Sequence, residues 1–135
     1  MSVVNNIIKI GFLNFKGQCI LNEARQLQAE DFLKKYDLDI LQCQEIQRNN
    51  DTFSQCNYIQ ANYSIISNNN VTTYGTASLV INNYSISNVF CANNGRVLIF
   101  DIDEITYGNF YLPSGTDGTT RNLREDYFAK IIPTL

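Results

Sequence analysis

The sequence predicts an α/β protein, with a mixed and mostly antiparallel sheet and helices on one face. Three observations lead there. The stretch Leu38-Asp39-Ile40-Leu41-Gln42-Cys43-Gln44-Glu45 has apolar residues on both sides, Leu38 and Ile40 on one and Leu41 and Cys43 on the other. That is the pattern of a central strand covered on both faces. A helical stretch precedes it, and another strand precedes the helix. Short apolar runs broken by close turn signals fill the second half of the chain.

The chain has 135 residues, enough for one domain with a real core. A hydrophobic content of 44% and a charged content of 17% describe a globular protein rather than a disordered one. No apolar run approaches the length of a membrane span. The N-terminus has no basic segment followed by an apolar one, so no signal peptide is expected and an intracellular, reducing setting is. Cys19, Cys43, Cys56 and Cys91 form no Cys-x-x-Cys pair, which predicts buried free thiols rather than disulfides or a zinc site. The net charge is −3, unlike a typical basic nucleic-acid binder. Histidine is absent, which excludes for this chain alone every mechanism that needs imidazole.

The elements follow in order. Ile7 to Asn14 reads as the first strand, with Ile8, Ile10 and Phe12 on one side and a turn signal at Gly17. Asn22 is placed as the N-cap of a helix running to Tyr36, with Glu23 in its first turn and Lys34 and Lys35 in its last, as the helix dipole favours. Strand, helix and the strand to Glu45 form a βαβ unit with parallel strands. Asn14 and Glu45 then lie at the same edge, where open α/β sheets bind ligands. On the alternation, Glu45 shares the face of Leu41 and Cys43. Each has an ordinary reading as well: Asn14 as a turn-former, Glu45 as a solvated strand end.

Residues 48–62 read as polar and irregular. Strands are predicted at Tyr63–Ile66, Gly75–Ile81, Ile86–Cys91, Arg96–Ile102 and Ile105–Tyr111. Turn signals at Asn82-Asn83 and Asn93-Asn94-Gly95 suggest an antiparallel meander. A last helix is placed at Arg121 to Ile132. One sheet of about six strands results. The two helices cover one face and nothing remains for the other, so the chain reads as part of a domain with an exposed apolar face.

Tyr111-Leu112-Pro113-Ser114 completes an ordered set of motifs. Leu13-Asn14 ends the first strand, Gln44-Glu45 ends the second, and Gly75 to Ile81 with Gly95-Arg96 form central hairpins. Arg121, Arg124, Glu125 and Phe128 follow the Pro-Ser loop. Gln44-Glu45 alone has no specificity; the ordered set does. It resembles the endonuclease/exonuclease/phosphatase family, and within it the endonuclease domains of non-LTR (LINE-type) retrotransposons. The resemblance implies a DNase I-like α/β sandwich, of which residues 1–135 match the N-terminal portion. Ser114 stands where many nucleases of the family have asparagine. The family's later motifs, an Asp-x-Asn pair and a terminal Asp-His pair, have no counterpart here.

The same resemblance implies hydrolysis of DNA phosphodiesters with Mg2+ or Mn2+, this chain alone being a truncated and inactive piece. Glu45 would ligate the metal, with Asn14 as a second ligand or as the group that orients it. Tyr111 would contact the scissile phosphate; packing on the sheet is its ordinary reading. Arg96, Ser114 and Arg121 would face nucleic acid, and for the arginines a surface ion pair is equally open. DNA and the rest of a parent polyprotein with a reverse transcriptase are the implied partners. No membrane association is expected, and a nuclear location follows if the retroelement likeness holds. Two other readings compete: a phosphatase of the same fold acting on a phosphorylated lipid or inositol, and a non-catalytic remnant that serves as an interaction fragment.

Overall fold

A computed structural model describes residues 7–16, 23–47, 53–68, 74–92 and 95–111. The elements are β1 (Ile10–Asn14), α1 (Glu23–Tyr36), β2 (Ile40–Gln47), α2 (Asn57–Asn62), β3 (Tyr63–Asn68), β4 (Tyr74–Ile81), β5 (Ile86–Ala92), β6 (Val97–Ile102) and β7 (Ile105–Phe110). They build two sheets, of order β1-β2-β4-β3 and β5-β6-β7. β1 and β2 are parallel, in register from Ile10 opposite Ile40 to Asn14 opposite Gln44. Every other pairing is antiparallel.

β2 is apolar on both faces because both are covered. On one side Leu41, Cys43 and Ile46 meet Ala29 and Leu33 of α1 and Ile59 of α2. On the other, Ile40 and Val80 meet Phe100 and Ile102 of the second sheet. Phe100 also stacks on Tyr107, with ring centroids 5.6 Å apart. Each such large side chain removed from water contributes about 1.5–3 kcal/mol. Gly11 lets α1 approach β1: a Cβ there would lie 2.6 Å from Leu38 Cδ1 and 2.7 Å from Phe32 Cε1. Among the described residues, no helix is long and apolar enough to cross a membrane.

The α/β sandwich class stands, with corrections inside it. The strands divide between two sheets instead of forming one, because the turn at Asn82-Asn83 carries the chain from β4 into another sheet rather than closing a hairpin. The second sheet covers the face that was expected to be open. Leu38 precedes β2 and joins the helix-side core, so it does not share a face with Ile40. α2 falls in the segment read as irregular. Its only fully buried residue is Ile59, and no side chain caps its start, so it leaves little trace in the sequence. Cys43 and Cys56 are buried and in no disulfide, but Cys91 is exposed. The Asn22 cap, Cys19 and the helix at 121–132 lie outside the described residues.

Candidate functional site

The site begins with an irregularity in β2. Pairing with β4 is regular up to Cys43 opposite Ala77 and resumes at Ile46 opposite Gly75. Gln44 and Glu45 therefore share the single partner position of Thr76, which is a β-bulge. Glu45 has φ 54°, in the left-handed region that a side chain disfavours. The bulge puts Ile46 in the helix-side core as the next residue after Cys43. Glu45 is released from the face of Leu41 and Cys43, where simple alternation would place it, and the residue is half-buried near the end of the strand.

Asn14 ends β1 beside this bulge, in register with Gln44. Its Oδ1 accepts the Lys16 backbone N–H at 2.8 Å, which fixes the amide in a tight turn and leaves a second lone pair on the oxygen. Parallel pairing thus places Asn14 and Glu45 at the same end of neighbouring strands.

Tyr111 approaches from the second sheet. Its backbone N–H donates to the Arg96 carbonyl at 2.8 Å. Arg96 Nη1 donates to the Tyr111 carbonyl at 3.0 Å, and the guanidinium lies 4.9 Å from the centre of the Tyr111 ring. The phenol lies near the Glu45 side chain. Burial raises the phenol's pKa above its usual value, the neighbouring Glu45 carboxylate raises it further, and Arg96 opposes them. Arg96, expected to face nucleic acid, is engaged with Tyr111; Ser114 and Arg121 lie outside the described residues.

Sequence reasoning passed over a buried polar cluster beneath these groups. Asn109 Nδ2 donates to the carbonyls of Cys43 (3.2 Å) and Ala77 (3.0 Å) and to Ser78 Oγ (3.2 Å). Its Oδ1 accepts Gln44 Nε2 at 2.8 Å. Ser78 Oγ also donates to Gln42 Oε1, and Gln42 Nε2 reaches the Gly108 carbonyl at 3.4 Å. A signal existed: Gln42 and Gln44 alternate on one face of a strand otherwise apolar, and buried amides need partners.

The oxygen donors at the strand ends, the Glu45 carboxylate and the Asn14 amide carbonyl, are of the type Mg2+ prefers. Glu45 is in no Lys or Arg ion pair among the described residues, so its charge is available to a cation. Those residues contain no group of three or more His, Cys, Asp and Glu, and the fit is that of a partial site completed by water and substrate oxygens.

Solved structures place this arrangement in a known fold. An AP endonuclease from Archaeoglobus fulgidus matches with TM-score 0.74 and 19% identity, over 91% of this chain and 49% of that one. The 3′ phosphatase NExo from Neisseria, bound to a product DNA hairpin, matches with TM-score 0.70 and 19% identity, over 91% and 49%. Truncated TDP2 from Caenorhabditis elegans matches with TM-score 0.64 and 20% identity, over 90% and 52%. No protein-family model and no curated protein matches the sequence. The chain has the DNase I-like fold. It spans about half the length of the solved structures it matches.

Proposed function

We propose that this chain is the N-terminal portion of a divalent-metal-dependent phosphodiesterase that cleaves DNA, of the retroelement endonuclease type. The observation that carries the reading is that Asn14 and Glu45 end neighbouring parallel strands, with Tyr111 of the second sheet close enough for Glu45 to act on its phenol. A half-buried glutamate held at φ 54°, in the left-handed region that side chains disfavour, is the kind of strain that persists where function uses it. The names of the matching structures, an AP endonuclease and a phosphatase bound to DNA, support a phosphate ester in DNA as the substrate. The Tyr111-Leu112-Pro113-Ser114 motif supports the retroelement type.

In this reading Glu45 and Asn14 hold Mg2+ or Mn2+. The bound cation supplies charge stabilisation at the scissile phosphate. Tyr111 directs its protonated hydroxyl toward the same phosphate, and Arg96 keeps the ring in place. A positioned donor of this kind is worth about 10²–10³ in rate. Groups that position the attacking water have no counterpart among these residues, so the chain alone is inactive.

The test is nicking of supercoiled plasmid with Mg2+. The chain extended by the reading frame beyond Leu135 nicks, and its Glu45→Ala variant does not; residues 1–135 alone give no more product than their own Glu45→Ala control. Turnover of a phosphoinositide in place of plasmid by the extended chain would overturn the DNA assignment.

A further inference from the structure

The bulge that presents Glu45 breaks the β2–β4 ladder at a buried place. Buried carbonyls deprived of a ladder partner cost about 1–3 kcal/mol each unless another donor is found. Beside the bulge the opposite sheet supplies an extra donor. Asn109, 1% exposed, sends its Nδ2 to the carbonyls of Cys43 and Ala77, the register pair next to the bulge, at 3.2 and 3.0 Å. The Ser78 hydroxyl shares the same amide at 3.2 Å. Asn109 Oδ1 accepts Gln44 Nε2 at 2.8 Å, so the amide also holds a residue of the bulge itself.

Asn109 stands two positions before Tyr111 on the same strand run. Its main chain is in register with Leu98, and Tyr111 is held by the next residues along, through Arg96. One side chain thus ties the bulge that carries Glu45 to the strand that carries Tyr111. We propose that Asn109 is a positioning residue: by bonding to β2, β4 and Gln44 of the bulge from the opposite sheet, it fixes where the bulge carrying Glu45 sits relative to the strand that leads to Tyr111. The importance of that placement for catalysis rests on the function proposed above; the positioning itself does not.

A serine, alanine or valine would pack in a sheet at this position, but none reaches both carbonyls and a glutamine at once. Asparagine presents two N–H donors and a carbonyl acceptor on a short, stiff stem. A merely structural role would lower stability when the amide is removed. A positioning role also moves one particular pair of groups.

The experiment reads the Tyr111 ring directly in the full chain. Tyrosine labelled with carbon-13 at Cζ is incorporated, and Tyr111→Phe assigns its resonance. Glu45→Gln marks where that resonance moves when the Glu45 charge is lost. Asn109→Ala, if folded, is expected to move the Tyr111 resonance to the Glu45→Gln position and to leave those of Tyr58 and Tyr63 in place. A Tyr111 resonance unmoved in folded Asn109→Ala overturns the proposal. If Asn109→Ala does not fold, Gln44→Ala frees the Asn109 amide on one side, and a smaller displacement in the same direction is expected; none overturns it. Mn2+ added to the wild-type chain separates the two ideas. Selective broadening of the Tyr111 resonance is expected, and its absence contradicts the metal site while leaving the Asn109 result to stand or fall on its own.

Discussion

Arg96 holds Tyr111 at three points: through its own carbonyl, through Nη1 on the Tyr111 carbonyl, and through its guanidinium over the ring. Two of the three depend on the arginine side chain. Arg96→Ala is expected to lower stability by about 1–2 kcal/mol, from one charge-assisted hydrogen bond and one cation–π contact. Arg96→Lys keeps the charge but loses the planar fork, and recovers less than half of that. Tyr111→Phe leaves both contacts intact and is the mildest of the three. Urea unfolding of the three variants gives the order.

Glu45 is held at φ 54°, where glycine is at ease and alanine is not. Glu45→Gly should therefore be more stable than Glu45→Ala by about 1 kcal/mol. Both variants remove the carboxylate. If the alanine variant is the more stable in thermal unfolding, the bulge relaxes when the side chain is lost and the strain is not intrinsic to the backbone.

Tyr63 is buried, and its hydroxyl donates to the Leu38 carbonyl at 2.6 Å. Burial, then Tyr58, then the charges of Asp39 and Asp37 raise its pKa. The unfolded phenol ionises near a pH of about 10. Below that pH both states hold the proton and the contribution to stability is whole. As pH rises past it the unfolded state loses the proton first, so stability falls until the folded phenol also ionises. Tyr63→Phe should lose about 1 kcal/mol at neutral pH, from the missing hydrogen bond, and show a shallower alkaline decline. Some decline remains, because the pKa values of Tyr84, Tyr107 and Tyr111 are raised as well. Denaturant midpoints across the alkaline range measure both effects.

Gly11→Ala tests how closely α1 is seated. The added carbon would meet Leu38 and Phe32 well inside contact distance. Overpacking of this kind costs about 1–3 kcal/mol, and a calorimetric midpoint unchanged from wild type would mean that α1 has room to move off β1.

The βαβ unit was legible because its signals are local. Leu13-Asn14 and Gln44-Glu45 end apolar runs, and Lys34 and Lys35 mark the close of α1 at Tyr36. Parallel pairing of the two strands then follows from chain connectivity. The division into two sheets was not legible, since whether β4 turns back on itself or crosses over at Asn82-Asn83 depends on partners far away in sequence. The bulge was hidden for the same reason: alternation counts residues along one strand, and a bulge exists only relative to its neighbour. Asn109 was overlooked because it sits in Gly108-Asn109-Phe110, which reads as an ordinary strand until its partners in the other sheet are seen.

The central claim is that Glu45 and Asn14 together hold a divalent cation, and Mn2+ binding to the full chain, followed by electron paramagnetic resonance, tests it most directly. The account predicts one weakly held Mn2+ that excess Mg2+ displaces, no binding in Glu45→Ala, and affinity lower by about tenfold in Asn14→Ala. Equal Mn2+ binding by the wild-type chain and by folded Glu45→Ala would contradict it.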